Sequence, residues 1–305
     1  MSAAGIVVAV VGPTAVGKST LGVEVARRLG GEVVNADSMQ LYRGMDIGTA
    51  KVTAAEAGGV AHHVLDIWDV TEPASVAEYQ RVARAAVDGL LAAGRVPVLV
   101  GGSGLYVRAV LDRLEFPGTD PALRAELEAE LAAGGPAPLY ERLAVRDPAA
   151  AARILPSNGR RIVRALEVLA LTGGPFTAEL PEPAPVYPAV QLGLDLPTEP
   201  LDARIELRVD RMWAAGLVGE VRALEARGLR EGRTAGRALG YHQVLRFLAG
   251  ECTEGEARDS TVRATRRFVR RQRSWFRRDG RIRWLDASRP DLVAAALTEI
   301  GRSDG

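Results

Sequence analysis

Residues 12–20 read Gly-Pro-Thr-Ala-Val-Gly-Lys-Ser-Thr, the complete G-x-x-x-x-G-K-[ST] pattern of a phosphate-binding loop. An apolar β-branched run over 6–11 precedes it, and a stretch with helical spacing over 18–29 follows it. A strand that feeds a helix through such a loop belongs to an α/β fold, where the helix N-terminus is aimed at the crevice above a parallel sheet. Gly12 and Gly17 let the loop turn its backbone N–H groups into one concavity. Lys18 adds a full positive charge, and the Ser19 hydroxyl can hold Mg2+. The run Gly12, Pro13, Thr14, Ala15, Val16, Gly17, Lys18, Ser19 and Thr20 is therefore a candidate site for two or more linked phosphates. What is done with them is left open by the loop itself.

Apolar runs at 6–11, 32–36, 63–67, 96–100, 190–196 and 281–285 read as strands. Helical spacing fills 18–29, 76–93, 105–114, 201–215, 220–227, 241–248, 254–277 and 291–300. Their alternation predicts a doubly wound parallel sheet of the P-loop NTPase type, covered on both faces. Between 116 and 188 the strands stop. Asp120-Pro121 and Asp147-Pro148 each pair an N-cap with a first-turn proline, Gly134-Gly135-Pro136 ends the first of these helices, and 158–171 carries a longer one. A turn-rich hinge follows at 181–185. The expected organisation is a core of 1–115 and 189–305 with an all-helical insertion at 116–188. No apolar run approaches ~18 residues, so no membrane span is expected. A strand begins almost at once with no basic leader before it, which predicts a cytoplasmic protein. The single cysteine, Cys252, excludes a disulfide framework and a cysteine-rich zinc site, and reads as a half-buried thiol near a helix start.

Neighbouring strands of a doubly wound sheet deliver their C-terminal residues to one crevice, so Asp37, after the second strand, is expected near the phosphate loop. Two chemical roles are open to it: a Mg2+ ligand, or the acceptor of a proton from a nucleophile. As structure alone it would cap the turn at 38–41. The strand at 96–100, where a nucleotide hydrolase would carry an acid, ends in Gly101-Gly102-Ser103-Gly104. Its glycines admit a close ligand and Ser103 offers a hydroxyl. An acid does follow the run 190–194, at Asp195. Arg204, Arg208 and Arg211 fall at i, i+4 and i+7 of one helix, as a solvated stripe or as a guanidinium clamp on a diphosphate. His62-His63 has no cysteine or acid cluster beside it to support a metal and reads as a structural or orienting pair. Net charge is +1 and points to no partner, but ten arginines lie between Thr261 and Arg283 against one acid, Asp279. A plain solvated face mixes its signs, so this helix is a candidate nucleic-acid surface.

The run from Asp37 to Lys51, Asp-Ser-Met-Gln-Leu-Tyr-Arg-Gly-Met-Asp-Ile-Gly-Thr-Ala-Lys, joined to the phosphate loop, resembles the tRNA dimethylallyltransferases, also called tRNA isopentenyltransferases. Further matches are His62 to Asp66, Val100 to Tyr106, Arg161 to Glu167, Gly240-Tyr241 and Thr265 to Arg277, so the resemblance runs nearly the whole chain in one order. It implies transfer of a dimethylallyl group from dimethylallyl diphosphate to N6 of the adenosine at tRNA position 37, 3′ of the anticodon, with Mg2+ and a target base flipped into a tunnel. Asp37 is implied as general base, with Lys18 and Ser103 as further catalytic residues. Arg208 joins the phosphate loop on the diphosphate, Thr14 makes a further contact with it, and Ser19 holds the metal. Ser103 stands where the family usually has threonine and contacts the target adenine or Asp37. Contacts to the tRNA anticodon stem-loop are implied for Asp37, Ser38, Met39, Gln40, Ser103, Arg124, Arg160, Arg161, Ile162, Val163, Arg164, Arg237, Gly240, Tyr241, Arg266 and Arg270, and a monomer is expected.

The chain departs from the family at Ser157-Asn158-Gly159-Arg160-Arg161, where Asn-Asp-x-Gln-Arg is common, and at Arg271, where lysine is usual. One cysteine excludes an appended zinc finger, which points to the bacterial type. Without the resemblance, a P-loop small-molecule kinase or nucleotide hydrolase is the alternative, and a non-catalytic RNA-binding protein switched by a nucleotide is a third. Transfer to a free adenine nucleotide would need neither the insertion nor the arginine face.

Overall fold

The computed structural model describes residues 5–176 and 180–302. Six parallel strands, β1 (Val7–Val11), β2 (Glu32–Asn35), β3 (His62–His63), β4 (Pro97–Gly101), β5 (Ala189–Asp195) and β6 (Ile282–Asp286), lie in the order β3-β2-β4-β1-β5-β6. Around them run α1 (Lys18–Leu29), α2 (Ala54–Ala57), α3 (Val76–Ala92) and α4 (Gly104–Leu111). A helical stretch follows with α5 (Pro121–Gly134), α6 (Pro136–Arg146), α7 (Pro148–Arg153) and α8 (Gly159–Thr172). The chain then adds α9 (Thr198–Ala214), α10 (Leu217–Glu225), α11 (Tyr241–Leu248), α12 (Glu254–Phe276) and α13 (Leu292–Gly301).

Side chains alternate across a strand, and β1 uses both faces for burial. Val7, Ala9 and Val11 pack with Tyr79 and Val87 of α3, Val107 of α4, Val221 of α10 and Val244 of α11. Val8 and Val10 pack with Leu21 and Val25 of α1, Ile205 of α9, Val262 and Val269 of α12 and Ile300 of α13. This continuous apolar run is what a central parallel strand requires. Because these strands are parallel, the loop after β1, the residues after β2 and the glycine turn after β4 all lie at the C-terminal end of the sheet.

The chain falls into two compact units, Met1–Asp112 with Pro185–Gly305, and Arg113–Ala184. The second is helical and closes on its own core of Leu139, Leu143, Ile162, Leu166 and neighbours. Asp120 caps α5 by accepting from Ala122 N–H (2.9 Å) and Leu123 N–H (3.1 Å), and Asp147 caps α7 by accepting from Ala150 N–H (2.9 Å). Two differences from expectation have local causes. The Gly134-Gly135-Pro136 break ends α5, but Pro136 also opens α6, because a proline in the first helical turn loses no needed N–H. The strand expected at 63–67 is only His62–His63, because Val64 (φ +63°) and Asp66 (φ +55°) turn the backbone away.

Candidate active site

The loop between β1 and α1 closes against β5. At Gly12 (φ +140°) a Cβ would lie 2.4 Å from the Leu194 carbonyl oxygen, so only glycine fits. Gly12, Pro13 and Val16 are buried and have only backbone to offer a ligand. Thr14, Ala15, Gly17, Lys18, Ser19 and Thr20 line a cavity of about 910 Å³. Its other walls include Asn35 at the end of β2 and Asp37 just after it, the loop at 46–53, Val100 and Gly101 of β4, and Arg204, Arg208 and Arg211 of α9. The arginine stripe of α9 therefore faces the cavity.

Asp37 is held from two sides. Its Oδ1 accepts from Met39 N–H (2.9 Å), which is the turn-capping bond expected of it, while Oδ2 has no partner among the described residues. Asn35, 3% exposed, fixes its backbone: Asp37 N–H donates to Asn35 Oδ1 (3.0 Å), and Asn35 Nδ2 donates to Asp37 O (3.0 Å) and Val64 O (3.1 Å). Lys18 Nζ donates to Pro13 O (2.7 Å). Burial lowers the Lys18 pKa from 10.5 to about 8, Asp37 works against that shift and Arg208 adds to it. Burial also works against the charge on Arg208, and Asp37 again offsets it. A carboxylate, an ammonium and a guanidinium from three separate elements thus act on one another across one cavity. Arg208 Nη2 donates to Thr49 O (3.0 Å) and Arg204 Nη1 to Val16 O (3.4 Å).

Ser103 reaches the turn beside Asp37. Its Oγ accepts from Ser38 N–H (3.1 Å) and donates to Ser38 Oγ (3.2 Å). Gln40 lines the cavity and donates from Nε2 to Thr49 O (3.2 Å). A further residue joins the site from α12. Gln272, 5% exposed on α12, accepts from Thr14 N–H (2.9 Å) and donates to Gly102 O (2.9 Å), joining the phosphate loop to the glycine turn. Its signal was a single amide between Val269 and Phe276 on the buried side of an arginine-rich helix.

The residues expected to meet RNA divide sharply. Arg160, Arg161, Arg237 and Arg270 are exposed. Ile162 and Val163 are buried in the helical unit and Gly240 and Tyr241 in the core, so their side chains pack rather than face a partner. Arg124 and Arg164 converge on the fully buried Glu167: Arg124 Nε lies 3.1 Å and Arg164 Nη1 2.6 Å from it. Arg164 also donates to Pro117 O (2.6 Å) and Gly118 O (3.0 Å). Arg266 pairs with Asp202 (3.2 Å) and Glu206 (2.5 Å) of α9, and Arg273 and Arg277 pair with Asp195 at 2.8 and 3.1 Å. The acids missing from the C-terminal arginine run are supplied by other elements. His62 Nδ1 lies 2.9 Å from Val60 O and His63 Nε2 2.5 Å from Glu32. Among the described residues no three His, Cys, Asp or Glu side chains cluster as a metal cage, and no helix is long and apolar enough to cross a membrane.

Residues 40–279 match the IPP transferase family. A Salinispora arenicola tRNA dimethylallyltransferase is 74% identical over 298 residues, covering 98% of this chain and 87% of its own. The Streptomyces coelicolor protein of the same name is 69% identical over 299 residues, covering 97% and 96%. The solved full-length tRNA isopentenylpyrophosphate transferase of Bacillus halodurans is similar at a TM-score of 0.72 and 40% identity, over 98% of each chain. A eukaryotic dimethylallyltransferase, solved in crystallographic snapshots acting on tRNA, gives a TM-score of 0.82 at 26% identity, over 97% of this chain and 78% of that one. With a six-stranded parallel sheet, a phosphate loop and near-full-length likeness to tRNA dimethylallyltransferases, this chain belongs to the IPP transferase family.

Proposed function

We infer that the protein transfers a dimethylallyl group to an adenosine of tRNA. The donor is dimethylallyl diphosphate, the acceptor atom is N6 of the adenosine at position 37, 3′ of the anticodon, and diphosphate is released. The observation that carries this is the convergence of Asp37, Lys18 and Arg208 on the cavity of the phosphate loop.

The exocyclic amine of adenine is conjugated with its ring and becomes nucleophilic only as it sheds a proton. Asp37 accepts that proton while N6 bonds to C1 of the allyl group, an effect typically worth ~10²–10⁴-fold. The C1–O bond breaks and its electron pair leaves with diphosphate. Backbone N–H groups of the loop, the N-terminus of α1, Lys18 and Arg208 meet the charge that grows there. Mg2+ fits the donor set: the Ser19 hydroxyl stands on the cavity wall without a carboxylate cage, so diphosphate oxygens and water would complete its shell and the ion would neutralise the leaving group. Ser103, through Ser38, steadies the turn that carries Asp37.

Flipping the base out costs a few kcal/mol. Contacts from the exposed Arg160 and Arg161 of the helical unit, and from Arg237 and Arg270, offset this through the RNA backbone. The enzyme acts as a cytoplasmic monomer. The direct test is incubation with labelled dimethylallyl diphosphate and unmodified tRNA, followed by digestion to nucleosides. Label on N6 of the adenosine 3′ of the anticodon is the expected result. Hydrolysis of a nucleoside triphosphate with no label in RNA would favour the kinase or hydrolase alternative.

A further inference from the structure

The loop at 46–51 forms one wall of the cavity, with Ile47, Thr49 and Ala50 on it. Its corner is held from behind by one side chain of α10. Glu220 Oε2 accepts from Asp46 N–H (3.1 Å) and Ile47 N–H (2.7 Å), and Oε1 from Gly48 N–H (3.2 Å) and the Tyr241 hydroxyl (2.6 Å). Three consecutive backbone donors and a phenol thus share one carboxylate. The contact is close: a Cβ on Gly48 would fall 2.4 Å from the Tyr241 ring. Burial and the Glu220 charge hold the Tyr241 phenol far above its ordinary 10, so it stays a donor.

The residue after this corner touches the donor site. Thr49 O accepts from Arg208 Nη2 (3.0 Å) and from Gln40 Nε2 (3.2 Å). It is the hydrogen bond that aims the half-buried Arg208 guanidinium. We propose that Glu220, with Tyr241 behind it, is a positioning residue for the allyl diphosphate: it fixes the 46–48 corner and, through the Thr49 carbonyl, the direction of Arg208. This rests on Arg208 being a diphosphate ligand, as inferred above. The far end of the loop has its own tether, Lys51 Nζ to Asp46 Oδ1 (2.5 Å), Asp66 Oδ1 (2.6 Å) and Tyr42 O (3.0 Å). Altering Glu220 therefore loosens the corner without releasing the loop.

The test is steady-state kinetics with both substrates varied, on Glu220→Gln, Tyr241→Phe, Arg208→Ala and the Glu220→Gln/Arg208→Ala double variant. A glutamine has one acceptor oxygen for four donors, so the donor KM of Glu220→Gln should rise about 10-fold, with the tRNA KM within about twofold. Tyr241→Phe keeps the ring under Gly48 and loses one bond, so it should move the same constant about threefold; it carries the test should Glu220→Gln fail to fold. In the Arg208→Ala background the Glu220→Gln effect should shrink below about twofold, because both act on one contact. An unchanged donor KM in Glu220→Gln or Tyr241→Phe, an equal rise in the tRNA KM, or effects that multiply fully in the double variant would overturn the proposal. If Arg208→Ala itself leaves the donor KM unchanged, the clamp is wrong and the proposal falls with it. If Arg208→Ala raises that KM and Glu220→Gln does not, only the positioning role is lost.

Discussion

The ammonium of Lys18 is kept charged against its surroundings. Burial holds its pKa at about 8 instead of 10.5, with Asp37 opposing the shift and Arg208 adding to it. At about 1.4 kcal/mol per tenfold change, the folded protein carries that charge at a cost of about 3 kcal/mol at neutral pH. The cost is fully present below pH 8, where both folded and unfolded chains hold the proton, and shrinks between 8 and 10.5. In that window the unfolded chain binds more protons, so stability rises with pH. Lys18→Met removes the charge and keeps most of the stem. It also leaves the Pro13 carbonyl without its donor, which returns roughly 1–2 kcal/mol; the lost attraction to Asp37 is already contained in the lowered pKa. The variant should therefore be more stable than wild type by about 1–2 kcal/mol at pH 7 without ligand, a Tm gain of roughly 1.5–3 °C. Calorimetry in parallel on both proteins measures it: wild type regains about 3 kcal/mol between pH 8 and 10.5, so the gap should close near about pH 9 and reverse by 10.5. Inorganic diphosphate should reverse the order, raising the Tm of wild type and not of the variant, because only binding to the native state stabilises it. A ligand-free variant less stable than wild type at pH 7, or a gap indifferent to pH, refutes the reasoning.

Glu167 presents the opposite case: burial pushes its pKa up, but hydrogen bonds from Arg124 and Arg164 outweigh that and leave it below the ordinary 4.5. Its contribution is thus present above that value and lost as the pH falls through the folded one. Glu167→Gln strips two arginines of their counter-charge and should cost the helical unit roughly 3–5 kcal/mol; hydrogen exchange at neutral pH should show faster amides in α5 to α8, and unchanged protection would contradict the network's weight. Charge reversal at the exposed Arg267 and Arg270 should raise the tRNA KM and flatten its dependence on log salt by roughly 1.5, while the donor KM stays put. An unaltered salt slope would assign that face to solvent.

Most of the core could be read from the chain before any coordinates, because parallel strands buried on both faces leave continuous apolar runs. β1 and β4 are the plainest examples. Asp37 could be placed near the phosphate loop for the same reason: in a doubly wound sheet, strand ends share one crevice. What the chain alone does not reveal is tertiary. Arg266, Arg273 and Arg277 looked unopposed along α12, yet Asp202, Glu206 and Asp195 meet them from elements some seventy residues earlier. Tyr241, Ile162 and Val163 enter as tRNA contacts only through the family resemblance, and the side chains of all three are buried in cores. Gln272, Asn35 and Glu220 escaped because each acts on backbone groups distant in sequence, as with Gln272 and Thr14. No spacing rule exposes such a contact.

The proton acceptor is the point on which the mechanism turns, and Asp37→Asn tests it with little else disturbed, since an amide oxygen can still accept from Met39 N–H. The measurement is single-turnover transfer of labelled dimethylallyl groups to unmodified tRNA, with donor and tRNA affinities measured on the same variant. Transfer should slow by ~10²–10⁴-fold while both affinities hold within a few-fold. Transfer at close to the wild-type rate, with both substrates bound, would contradict Asp37 as the base.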